Sequence, residues 1–100
     1  MIARMWHGAV PSEKAADYYD YLQRTGVTDY ESTPGNRGVY ILQREENGVT
    51  HFHILTFWES YDAIRAFAGD DYEKARYYPE DTAYLLELEP LVMHYEVRYP

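Results

Sequence analysis

The sequence predicts an α+β fold, a ferredoxin-like βαββαβ sandwich whose antiparallel sheet carries its helices on one face. Three observations support that expectation. The segment "VYILQREENGVTHFHILTFW" holds two strand-like runs around Asn47-Gly48, the strongest short hairpin signal. Helical patterns flank this hairpin on both sides, and an alternating run, "LVMHYEVRY", closes the chain. With one hundred residues and no linker, repeat or low-complexity segment, residues 1–100 read as a single domain.

Residues 2–7 read as a short first strand of mixed polarity. "VPSEKAADYYDYLQRTG" reads as a helix started at Pro11-Ser12 and stopped by Gly26. Its apolar stripe is Ala15, Tyr18, Tyr19 and Leu22. "STPGNRG" is turn chemistry. After the hairpin, Ser60 is the expected N-cap of "YDAIRAFAG", with Ala63, Ile64 and Phe67 inward and Gly69 at the end. Asp71 would cap a short helix, "YEKARYY", stopped by Pro79. "EDTAYLLELEP" would add a further turn or two with Ala83, Leu86 and Tyr84 inward.

The last strand sets Val92, His94, Glu96 and Arg98 on one side and Met93, Tyr95, Val97 and Tyr99 on the other. Neither side is purely polar, as a solvated face should be. The face without helices therefore needs cover, and a second copy of the chain is the simplest cover. A homodimer is expected.

Composition excludes several function classes. A formal charge of −8 disfavours nucleic acid and anionic membrane as partners. The absence of cysteine removes disulfides, thiolate nucleophiles and cysteine-based metal clusters. No signal-peptide pattern and no run of about 20 apolar residues is present, so a soluble cytoplasmic protein is expected. There is no Gly-x-Ser-x-Gly elbow, no Gly-x-Gly-x-x-Gly and no P-loop. The carboxylates of "GDDYE" and "YYPED" read as caps and solvated charges. Twelve tyrosines among seventeen aromatic residues suit a pocket or a subunit interface.

The order of elements, the Trp58-x-Ser60 ending of the third strand and the helix "YDAIRAFAG" resemble the antibiotic-biosynthesis monooxygenase domain family. The segments "MIARMWHG", "GNRGVYIL", "FWESYDAIRAFAG", "YYPEDTAYLLELEP" and "HYEV" extend that resemblance over nearly the whole chain. It implies a dimeric α/β barrel of two ferredoxin-like protomers, each with a ligand cavity between sheet and helices. A tryptophan at the end of strand three lines that cavity in the family, and Trp58 matches it. Haem-degrading members carry a polar residue near the end of strand one, where His7 falls. They hold the haem iron through a histidine in the helix after the tryptophan, where this chain has Phe67 and Ala68. No cofactor is therefore expected.

A two-residue Asn47-Gly48 loop sets Arg44 opposite His51, Leu42 opposite His53 and Tyr40 opposite Leu55. The other face carries Ile41, Gln43, Phe52, Ile54, Thr56 and Trp58. If Trp58 points into the cavity, as the resemblance implies, His51 and His53 point toward the subunit interface. Such a pair needs a third ligand, for instance His94 or Glu96, to hold zinc or copper. No metal is expected, and the pair reads as hydrogen-bonded interface histidines beside Arg44.

The resulting functional expectation is a cofactor-independent monooxygenase acting on an aromatic or polycyclic small molecule. His7 would be the base, since imidazole titrates near neutrality. Trp58 would pack against the substrate rings, with Ile54, Thr56, Phe67, Tyr18, Tyr19, Tyr77 and Tyr78 as further walls. Trp6 alternates with His7, so a one-residue change of register would exchange the two. The alternatives are a non-catalytic or stress-related small-molecule-binding barrel and an isomerase or decarboxylase of the same fold.

Overall fold

A computed structural model describes the whole chain, Met1–Pro100. Strands β1 (Ile2–Pro11), β2 (Asn36–Glu46), β3 (Val49–Trp58) and β4 (Met93–Glu96) form one sheet in the order β2-β3-β1-β4. Every pairing is antiparallel. Between β1 and β2 run a 3₁₀ turn, α1 (Ala15–Leu22), a π-helical turn (Gln23–Val27) and α2 (Thr28–Ser32). Helices α3 (Tyr61–Ala68) and α4 (Asp81–Tyr84) lie between β3 and β4. This is the predicted ferredoxin-like sandwich.

The hairpin forms as its turn residues require. Asn47 and Gly48 both have positive φ, 52° and 76°, the conformation of a type I′ turn. The turn sets the expected pairs Arg44↔His51, Leu42↔His53 and Tyr40↔Leu55. Strand β1 then pairs Ile2 with Trp58, Trp6 with Ile54 and His7 with His53. Alternation puts Ile2, Arg4, Trp6 and Val10 on the helix face beside Thr50, Phe52, Ile54, Thr56 and Trp58. His7, His51 and His53 fall on the outer face.

Close approaches lock the layers together. A Cβ on Gly8 would lie 2.4 Å from the Trp6 indole and 2.8 Å from Leu85, so glycine leaves the room that Trp6 occupies. Gly35, at φ 92°, lets the entry to β2 run against α3, where a Cβ would lie 2.5 Å from that of Ala63. Ser60 caps α3 by accepting a 3.2 Å bond from the Ala63 amide, a contribution of about 1 kcal/mol. Gly69 ends that helix at φ 86°.

The core is aromatic. Tyr18, Phe52, Trp58 and Ile64 are fully buried, and Tyr30 packs on Phe67 with ring centres 4.4 Å apart and planes tilted by 30°.

Several local expectations are corrected. Strand β1 runs ten residues, to Pro11. Gly26 does not stop the first helix: the chain turns through a π-helical segment and continues to Ser32. Tyr21, not Tyr19, completes the buried stripe of α1. "YEKARYY" is not helical. It runs as a strap joined to the segment before β4 by Ala75 N–H to the Pro90 carbonyl and Val92 N–H to the Glu73 carbonyl. In the α4 region Asp81 is buried and Tyr84 half-buried, while Ala83 and Leu86 face solvent. Strand β4 keeps only four residues in the sheet.

Candidate functional site

The helix face encloses a compartment walled by Trp6, Tyr18, Tyr30, Ile54, Tyr78 and Asp81. Its free volume is about 10 Å³, room for roughly one water. The π-helical turn borders it at Gly26, whose bare Cα lies against Tyr30 and Tyr78. Of the expected walls, Tyr18, Ile54 and Tyr78 line this space. Trp58 and Phe67 lie behind Tyr30, and the Trp58 Nε1–H donates to Thr56 Oγ1 at 2.8 Å. Tyr77 meets the edge of Trp6, with ring centres 6.3 Å apart.

Asp81 is the acidic group of this compartment. Its Oδ1 accepts from the Tyr18 hydroxyl at 2.8 Å and its Oδ2 from the Tyr78 amide at 2.6 Å. Burial pushes its pKa up, against the downward pull of those two bonds. Burial, and then the neighbouring Asp81, push the Tyr18 phenol up as well. The segment over the compartment is latched by Asp29, whose Oδ2 accepts from the Tyr78 hydroxyl and from Arg76.

Farther along β1, Arg4 is 1% exposed. Its Nη1 donates to the Tyr72 carbonyl at 2.5 Å and faces His94 Nε2 at 3.1 Å. Burial, and then the nearby guanidinium, lower the His94 pKa to about 4. His94 is therefore neutral at pH 7 and accepts from Arg4.

His7 does not share a cavity with Trp58. The pairing of Ile2 with Trp58 turns Trp6 to the helix face and His7 outward. There His7 Nδ1 lies 2.5 Å from Glu89 Oε2, and His7 Nε2 lies 2.9 Å from His51 Nδ1. The His53 ring centre is 4.7 Å from that of His7, and burial, then the two neighbouring imidazoles, lower the His53 pKa. This carboxylate–imidazole–imidazole chain edges an open groove of about 430 Å³ that includes Ala9, Glu46 and Leu86. Arg44 pairs with Glu46 beside it.

Sequence reasoning missed Asp81 and Tyr30 as compartment residues and offered Trp6 only as the alternative to His7; it also did not single out Arg4, buried beside Phe67 on the same face. A signal existed for Arg4, a charge on the strand face otherwise occupied by Ile2, Trp6 and Val10. None existed for Asp81, which sits in an acidic stretch like any helix cap.

No protein-family model and no curated protein matches the chain. Solved structures do. Two are described as putative antibiotic biosynthesis monooxygenases. The one from Caulobacter crescentus has a TM-score of 0.69 at 20% identity, covering 98% of this chain and 90% of that one. The one from Bacillus cereus has a TM-score of 0.63 at 14% identity, covering 99% and 96%. A third is the haem degrader MhuD of Mycobacterium tuberculosis, solved with two haems in its active site. Its TM-score is 0.66 at 19% identity, covering 100% and 98%.

The helix face of this chain does not fit a haem. Its one histidine is His94, whose Nε2 is taken up by Arg4, and α3 offers Phe67 and Ala68 instead of an imidazole. What the likeness establishes is the fold: this chain is built on the same ferredoxin-like scaffold as these monooxygenase-named proteins and the haem degrader.

Proposed function

We propose that this protein is a cofactor-independent monooxygenase for an aromatic or polycyclic small molecule, acting in the helix-face compartment. The observation that carries the reading is Asp81, a buried carboxylate with a raised pKa inside an aromatic enclosure. Such a carboxylate is suited to take a proton from a phenol or an enolisable ketone. The resulting anion is the electron-rich species that reduces dioxygen. A substrate methylene leaves as a carbonyl, the second oxygen atom leaves as water, and the methylene supplies all four electrons. Tyr18 holds the carboxylate in place, and Trp6, Tyr30 and the Trp58–Phe67 pair behind them supply flat walls. Opening requires release of the segment latched by Asp29.

The same reading takes the protein as a homodimer joined through its outer sheet faces. Its support is the exposure of Tyr40, Leu42, Met93 and Tyr95 on that face.

Oxygen uptake with an enolisable tricyclic aromatic ketone tests the function. Uptake with stoichiometric product, abolished in a folded Asp81→Asn variant, is the expected result. Binding without turnover would instead make this a binding protein.

The Glu89–His7–His51 chain favours a second reading, an isomerase or decarboxylase in the outer groove with His7 as base and Glu89 orienting it. Turnover without oxygen, lost in His7→Gln and spared in Asp81→Asn, would select it.

A further inference from the structure

We infer that Arg4 is an anion-binding residue, and that the helix-face compartment takes an aromatic ligand bearing a carboxylate or comparable oxyanion. The inference rests on the reading of that compartment as the small-molecule site.

Arg4 is a fixed positive charge at every accessible pH, yet it is buried with no carboxylate partner. This is not for want of acids. The chain holds seventeen Asp and Glu against nine Lys and Arg. Four of its six solvent-facing arginines are paired, Arg37 with Glu59, Arg44 with Glu46, Arg65 with Asp62 and Arg76 with Asp29, and the other two, Arg24 and Arg98, are exposed to water. Arg4 is the unpaired arginine that is buried, where a missing counter-ion costs most.

Burying an unpaired ion opposes folding, and the neutral groups around Arg4 offset only part of that cost. These are the Tyr72 carbonyl, the neutral His94 ring, the Tyr30 phenol and the Phe67 face.

The unused donors point the same way. Arg4 Nε has no acceptor within the protein, and neither does the buried Trp6 Nε1, two residues along on the same strand face. Trp6 and Tyr30 both line the compartment. A guanidinium presents Nε and a terminal nitrogen as a fork that matches the two oxygens of a carboxylate. The Nε prong is free, while Nη1, on the opposite edge of the guanidinium, holds the carbonyl of Tyr72 in the irregular segment 69–80. A ligand oxyanion can therefore approach the Nε edge while the Tyr72 carbonyl stays on Nη1.

The test compares two fluorescent probes with one aromatic body: 8-anilinonaphthalene-1-sulfonate, which is anionic, and N-phenyl-1-naphthylamine, which is neutral. The anionic probe is expected to bind about tenfold or more tightly than the neutral one, the scale of a charge-assisted contact. Arg4→Met should erase that preference, leave the neutral probe's affinity within about twofold, and raise the Tm of the free protein, because it removes an unpaired buried charge. Arg4→Lys, which keeps the charge but loses the fork, should retain only part of the preference. Equal binding of both probes to the wild type would overturn the anion inference alone. Binding of neither would overturn the compartment reading and the inference with it. An Arg4→Met chain that does not fold, or that melts lower and still prefers the anion, would make Arg4 structural and overturn the inference.

Discussion

The two faces of one sheet handle polar groups in opposite ways. On the helix face, Arg4 and Asp81 each lie among aromatic rings without an ion-pair partner, Arg4 held by the Tyr72 carbonyl and the neutral His94 ring, Asp81 by the Tyr18 hydroxyl and the Tyr78 amide. On the outer face, Glu89, His7 and His51 bond to one another in a chain, beside a groove open to solvent. The apolar residues differ as well. Phe52 and Trp58 are fully buried, whereas Tyr40 and Met93 are 57% and 59% exposed. Burial is deeper on the helix face. It shifts the titration of Asp81 and His94 and raises the cost of the counter-charge that Arg4 lacks. The outer face leaves its large apolar side chains in solvent.

The strongest way to break this comparison is paired truncation. Trp58→Ala should cost about 3–5 kcal/mol of unfolding free energy, as for a large aromatic lost from a close-packed core. Tyr40→Ala should cost the folded protomer less than about 1 kcal/mol. Urea denaturation of both variants reads the contrast, and similar losses would mean that the outer face is no less structural than the inner.

A smaller effect concerns assembly. If the outer faces pair, Leu42→Asp places a charge at the centre of the contact and should weaken association by about 2 kcal/mol or more. Sedimentation at micromolar concentration checks it against the wild type. A wild type that sediments as a monomer would remove the reason for the exposed apolar residues.

The finest test is titration. The folded pKa of His94, about 4, lies below its ordinary value of 6.5, so the unfolded chain binds that proton more readily. The contribution of His94 to stability is therefore full above pH 6.5 and is lost as pH falls toward 4. Asp81 acts in the other direction. Its pKa is raised, so its contribution is full below the usual carboxylate range and is lost as pH rises through its folded value. NMR of the His94 ring protons should give a midpoint near 4, moving upward in Arg4→Met. Asp81→Asn should abolish the Asp81 part of the stability loss between acid and neutral pH.

Local chemistry was enough for the hairpin and for α3. Asn47-Gly48 dictates a type I′ turn, and that turn counts out every pair along β2 and β3, so His51 and His53 share one face and Trp58 takes the other, while the outward sense of the histidines rested on the resemblance that turns Trp58 inward. Ser60 and Gly69 bound α3 because a cap acts within three or four residues of itself. Tertiary packing decided what such rules leave degenerate. Trp6 and His7 alternate, and either could face the helices until pairing with β3 and the void at Gly8 admitted the indole. Gly26 costs a helix only about 1 kcal/mol, and packing of Tyr30 and Tyr78 against it carries the chain through. Asp81 is an ordinary acidic residue in sequence. It becomes a buried carboxylate only because Tyr18, sixty-three positions away, meets it, and no pattern in the sequence records a contact of that range.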